Sequence, residues 1–188
     1  MEKNRRKKLQ AELDQCHGYR GYEDDDIEVR PVKDCGFGLF AKRQFRPGEI
    51  ILEVTGQWHR ESEYAGSHYV MDLGGGKMLE PGIPACFANH SCNPNCELTQ
   101  LEVGKETVLV MVALCNIEPD TELVYDYQWD AGDHVLACHC GAADCRGWIV
   151  EAGQLEKQKK LIRKASAAQN GKNGKAKDRT SKPKIKKS

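Results

Sequence analysis

Three cysteines fall within eight residues, in Cys138-His139-Cys140-Gly141-Ala142-Ala143-Asp144-Cys145, and no other feature restricts the fold so strongly. Thiolates bind zinc tetrahedrally at about 2.3 Å, and a structural zinc site normally takes four ligands. One loop therefore supplies three donors, Gly141 permits its tight return, and the fourth donor comes from elsewhere. Cys92 and Cys96 are the obvious sources, with His139 as a local rival. Three free thiols packed as small apolar groups are the alternative, and their density argues against it. Nine cysteines without an export signal point to thiols or metal ligands in a reducing compartment.

Upstream of that cluster the apolar runs are short and separated by turn signals. Ile27-Glu28-Val29-Arg30 alternates as a strand, with Pro31 marking its edge, and Gly36 to Ala41 reads as a turn feeding a strand. Arg46-Pro47-Gly48-Glu49 is a turn before the strand-like Ile50 to Val54. Tyr69 to Leu73 and Lys77 to Glu80 flank Gly74-Gly75-Gly76, which predicts a hairpin. Thr107 to Leu114 is a buried strand, and Glu122 to Tyr127 is a further one. Asn4 to Gln15 predicts a short helix with a thin apolar stripe, and Glu151 to Gln169 a longer one. From Asn170 onward Gly, Lys, Asn and Ser dominate, a composition that supports no core and predicts disorder. The expected class is mainly β. The 188 residues suffice for one ordinary domain with tails. No run of eighteen apolar residues exists, so no membrane span is expected, and the charged first residues lack the apolar stretch of a secretory signal.

The formal charge of zero conceals a segregation. Residues 151–188 hold 13 basic and 3 acidic side chains, and residues 1–8 hold five basic and one acidic. The remaining body, 9–150, carries 10 basic against 24 acidic residues. An acidic body attracts cationic partners, while basic arms suit anionic ones.

Two more segments carry chemistry. Cys86-Phe87-Ala88-Asn89-His90-Ser91-Cys92-Asn93-Pro94-Asn95-Cys96 crowds polar groups beside an apolar step, an arrangement costly unless they bond one another or a ligand. A thiol-protease reading of Cys86, His90 and Cys92 lacks a nucleophile turn or a helix N-terminus, and an Asn-rich turn satisfying its own backbone is the structural alternative. Cys35-Gly36-Phe37-Gly38-Leu39-Phe40-Ala41 matches the dinucleotide pattern Gly-x-Gly-x-x-Ala. That pattern needs a following helix, whereas this chain reaches Pro47-Gly48 and returns to strand-like sequence. The two glycines still let a ligand approach the backbone closely.

In their order along the chain, Gly36-Phe37-Gly38, Asn89-His90-Ser91-Cys92-Asn93-Pro94-Asn95, Glu122-Leu123-Val124-Tyr125-Asp126-Tyr127 and the Cys-x-Cys-x4-Cys-Arg146-Gly147 ending resemble SET-domain protein-lysine methyltransferases. The resemblance runs from about Ile27 to Trp148. It implies small curved β-sheets with a pseudoknot-like threading, a zinc-bound post-SET loop and basic flexible tails. The implied divisions are an N-terminal extension at 1–26, a SET domain at 27–130, a post-SET zinc segment at 131–150 and a basic tail at 151–188.

The implied activity is methyl transfer from S-adenosyl-L-methionine to a lysine, in a basic protein segment such as a histone tail. By the same resemblance Gly36, Phe37, Gly38, Tyr69, Asn89 and His90 contact the cofactor. Tyr127 is the catalytic tyrosine, and Tyr125 stands where the number of methyl groups is set. Cys92 joins Cys138, Cys140 and Cys145 around Zn2+. The substrate class implies a nuclear location, and the basic termini suit contact with nucleic acid. The competing function is a catalytically weak SET-like module that binds chromatin.

Overall fold

The structure, a computed structural model, describes residues 22–33, 36–63, 70–104, 106–132 and 134–174, with side chains to 166. The short helix expected at Asn4 to Gln15 and the candidate Tyr69 lie outside the described residues.

The chain divides into two compact units. The first, residues 1–126 with Cys140–Asp144, holds three sheets. Strands β1 (Ile27–Val32) and β2 (Gly36–Ala41) form an antiparallel pair running from Ile27↔Ala41 to Val32↔Gly36. Pro31 sits inside β1 rather than at its end, and β1 is an edge strand, where the missing N–H costs no ladder bond. Gly36 belongs to the strand itself. The hairpin around the glycine triplet forms from β5 (Met71–Asp72) and β6 (Lys77–Pro81), and its three glycines all take positive φ, which side chains resist. A third strand, β4 (Gly56–Arg60), completes that sheet in the order β4-β6-β5.

The largest sheet has the order β3-β9-β8-β10-β7, with β3 Ile50–Glu53, β7 Asn89–His90, β8 Cys96–Val103, β9 Glu106–Ala113 and β10 Val124–Tyr125. In β9, Leu109, Val110 and Met111 are buried in succession, as a run apolar on both faces requires. Its partner β8 mixes polar and apolar residues, with Thr99-Gln100 breaking the alternation, and is largely half-buried or exposed. Neither β8 nor β4 is among the strands expected from the sequence.

The threading lies at one end of this sheet. β7 and β8 are consecutive and joined only by Ser91–Asn95, yet β10 pairs in parallel with both, Tyr125 opposite His90 and Cys96. A later segment is thus inserted between two strands adjacent in sequence, which few folds do. The expected strand Glu122 to Tyr127 shrinks to two residues for this reason: Glu122 bridges to Phe40 and Leu123 N–H donates to Leu39 C=O, on a different sheet. Beneath these elements Ile27, Leu39, Phe45, Met111, Ile117 and Leu123 form a core, each at most 2% exposed. Burying each such side chain contributes roughly 1.5–3 kcal/mol.

The second unit comprises residues 127–139 and 145–188. Helix α1 (Leu155–Gly174) starts four residues later than expected, after a 3-10 turn at Ala152–Gln154, and continues through residues 170–174, part of the stretch read as disordered. Gln158, 2% exposed, accepts a hydrogen bond from Gly132 N–H at 2.9 Å, and Gln154 accepts one from Ala131 N–H at 3.0 Å. Two side-chain amides, one on the helix and one on the turn before it, therefore anchor this element, a polar docking that hydrophobic periodicity does not signal. Among the described residues, no helix is long and apolar enough to cross a membrane.

Candidate active site

Asn89 is at the centre of the first unit's polar cluster. It stands on β7 beside β10, and its Nδ2 donates to Phe37 C=O at 3.0 Å and to Glu122 Oε1 at 2.8 Å. Phe37 lies half-buried on β2, edge-on to Phe87 with ring centroids 6.1 Å apart. Gly38 follows on the same strand, and a Cβ there would lie 2.5 Å from Glu122 Oε1 and 2.7 Å from Val32 Cγ2. The glycine at this position thus makes room for a carboxylate. Gly36 takes φ 78° and nothing within 4 Å would meet its Cβ, so it is retained for its backbone conformation.

His90 follows Asn89. Its side chain is 4% exposed, with Nδ1 3.6 Å from Asp126 Oδ1 and Nε2 3.4 Å from Cys92 Sγ. Asn95 closes the same loop. Its Nδ2 donates to Glu122 C=O at 2.8 Å, and its Oδ1 accepts from Val124 N–H at 2.9 Å and from the Cys96 thiol at 3.3 Å. One side chain therefore adds two bonds to the threaded segment beside its pairing with β8, while Ser91 N–H donates to Tyr125 C=O on the other side.

Among the sequence candidates, the structure joins Phe37 to Asn89 directly, sets Gly38 against Glu122 and pairs Tyr125 with His90. Tyr127 belongs to the second unit, where its ring lies 5.8 Å from that of Trp129. Gln128, the next residue, takes φ 51°, a left-handed conformation uncommon for a residue with a side chain. Glu122, Asn95 and Asp126 were not among the sequence candidates. The signal for Asn95 was the Asn-Pro-Asn turn, whose polar groups required partners. Glu122 opens the Glu122–Tyr127 motif, but nothing in the sequence gives it a role, because that role depends on β2 and β7.

Cys92 N–H lies 3.4 Å from Cys140 Sγ, and Gly147 N–H lies 3.4 Å from Cys145 Sγ. The ligand atoms of Cys92, Cys138, Cys140 and Cys145 all lie within 4.8 Å of one another. A tetrahedron with metal–sulfur distances of about 2.3 Å has sulfur–sulfur edges of about 3.8 Å, so the donor set fits zinc in number, softness and spacing. Cys96 and His139 are not in the cluster.

The remaining thiols argue against the protease reading. Burial pushes Cys86 up to about 11 and Cys96 up to about 12, so neither is a thiolate near neutral pH. On the body's surface, Arg30 pairs with Glu28 and Asp120, Lys42 with Glu23, and Arg43 with Asp26 and Glu49. These basic residues are committed to acidic neighbours within the unit.

Residues 36–128 match the family model described as SET domain. The chain belongs to the SET-domain family. This SET-domain chain is 31% identical over 150 residues to the histone-lysine N-methyltransferase NSD3 of Mus musculus, covering 72% of this chain and 10% of that protein. It is 33% identical over 151 residues to a histone-lysine N-methyltransferase, H3 lysine-36 specific, of Emericella nidulans, covering 72% of this chain and 15% of that one. Among solved structures, KRYPTONITE in complex with mCHH DNA, H3(1-15) peptide and SAH matches with TM-score 0.58 and 26% identity, over 65% of this chain and 29% of that one. The SET-domain chain therefore spans no more than 15% of either curated relative.

Proposed function

We propose that this SET domain transfers a methyl group from S-adenosyl-L-methionine to a lysine in a basic protein segment, a histone tail in particular, on chromatin in the nucleus. The carrying observation is the Phe37–Asn89–Glu122 cluster, which joins two residues that the family resemblance assigns to the cofactor, in a fold whose neighbour holds both SAH and an H3 peptide. The acidic body supports a cationic substrate by the sign of its field.

When bound, S-adenosyl-L-methionine supplies an electrophilic methyl group. The residues present fit it: Gly36 leaves the β2 backbone open, and Asn89 Oδ1 meets no donor among the described residues. Phe37, Asn89, His90 and Tyr69 hold the cofactor, and Tyr127 and Tyr125 orient the attacking amine. In-line displacement between two bound partners depends chiefly on such alignment. The lysine must shed its proton to attack, and a water-poor channel depresses its pKa.

Cys92, Cys138, Cys140 and Cys145 would hold a zinc ion, a structural group that would supply no chemistry to the transfer. The basic residues of 151–188, among them the exposed Lys157, Lys160, Arg163 and Lys164 of α1, contact nucleic acid, with an affinity that falls as salt rises.

Labelled S-adenosyl-L-methionine with mixed histones tests the function. Label enters histone with the wild-type chain and not with Tyr127→Phe. Binding of cofactor without transfer to any acceptor would instead support the weak chromatin-binding module.

A further inference from the structure

The polarity of Asn89 is fixed by its surroundings. Phe37 C=O and Glu122 Oε1 are both acceptors, at 3.0 and 2.8 Å from one terminal atom of the amide. That atom is the nitrogen, because a flipped amide would bring its oxygen against a carbonyl and a carboxylate. Both N–H groups are consumed, so Asn89 offers a ligand its Oδ1 alone. A group that binds there must donate, as an amine or ammonium does.

Glu122 enforces this orientation, and its side chain has no other visible task. Its backbone is held independently, by the bridge to Phe40 and by Asn95 Nδ2 on its C=O. Among the described residues no cation pairs with its carboxylate, and Gly38 is the only residue type that leaves the carboxylate room. A charged acceptor also polarises the amide and strengthens Oδ1 as an acceptor.

We propose that Glu122 is a positioning residue that locks Asn89 with its oxygen toward the cofactor site and so selects an amine donor of the bound cofactor. The inference rests on the cofactor reading above, and its test separates the two. In the cofactor-free protein the Asn89 side-chain NH2 signals, assigned by their loss in Asn89→Ala, are shifted downfield and exchange slowly with solvent. Glu122→Ala moves them to the free-amide position. In calorimetry, Glu122→Ala weakens S-adenosyl-L-methionine binding about tenfold, the worth of one charge-assisted hydrogen bond, while Glu122→Gln, which keeps an acceptor, stays within about threefold.

Glu122→Asp retracts the carboxylate by one methylene without touching the backbone bonds, and it weakens binding measurably even if the alanine variant fails to fold. Wild-type amide signals and affinity in Glu122→Ala or Glu122→Asp would overturn the positioning role, as would a loss in Glu122→Gln equal to that in Glu122→Ala. A wild-type chain that binds no S-adenosyl-L-methionine yet shows the locked amide would refute the cofactor reading and leave the amide lock standing.

Discussion

Replacing Asn95 with alanine tests how the threaded segment is held. The substitution removes the donor to Glu122 C=O at 2.8 Å and the acceptor for Val124 N–H at 2.9 Å, together with the Cys96 contact at 3.3 Å. Both backbone groups are part-buried, so water replaces the lost bonds incompletely. Each orphaned group costs about 1–1.5 kcal/mol, the low end for buried groups, giving roughly 2–3 kcal/mol in all. For a chain of this size that lowers Tm by about 4–12 °C. Asn93→Ala is the control on the same loop: its side chain is exposed and makes no hydrogen bond among the described residues, so its effect stays within about 0.5 kcal/mol. Urea unfolding of the zinc-loaded variants measures both. Asn95→Ala within about 0.5 kcal/mol of Asn93→Ala would refute the pinning role.

Three further outcomes follow from the geometry. At pH 8 iodoacetamide labels exposed Cys115 but not Cys86 or Cys96, and chelation exposes Cys92, Cys138, Cys140 and Cys145 to labelling; peptide mass spectrometry reads this, and equal labelling of the four before and after chelation contradicts the metal site. Gly38→Ala places its Cβ against Glu122 and Val32, costing about 1–3 kcal/mol and weakening cofactor binding; unchanged calorimetry would show the space to be slack. The Asp24 carboxyl sits below the usual carboxylate range: burial opposes the shift, and the backbone N–H groups of Ile27 and Asp26 with the Tyr22 hydroxyl outweigh it. A depressed folded pKa stabilises above the unfolded value of about 4 and is lost as pH falls through the folded one, so Asp24→Asn flattens the acid limb of the stability curve below about pH 4. An acid limb as steep as wild type refutes that contribution.

The strands legible in the sequence were those whose pattern is local. TVLVMVAL reads as a buried strand because both its faces are covered, and the glycine triplet marks its hairpin by backbone freedom alone. β8 escaped because half its residues are polar and its stability comes from eight paired positions on β9. β4 escaped because Gln57, Trp58 and Arg60 are exposed, which leaves no apolar periodicity to detect. At the site, the Cys138–Cys145 triplet announced itself by residue type and spacing, and Asn89 and Cys92 drew their roles from the family resemblance. Glu122 did not, since an acidic residue before a strand is ordinary until the fold sets β2 and β7 against it.

Methyl transfer to lysine is the central claim, and mass spectrometry of an H3 tail peptide incubated with the zinc-loaded chain and S-adenosyl-L-methionine tests it most directly. The account predicts that a lysine of the peptide gains the mass of whole methyl groups, with no gain when Tyr127 is replaced by phenylalanine. An unmodified peptide, alongside unmodified full-length histones and nucleosomes, from a chain shown to bind the cofactor would contradict it.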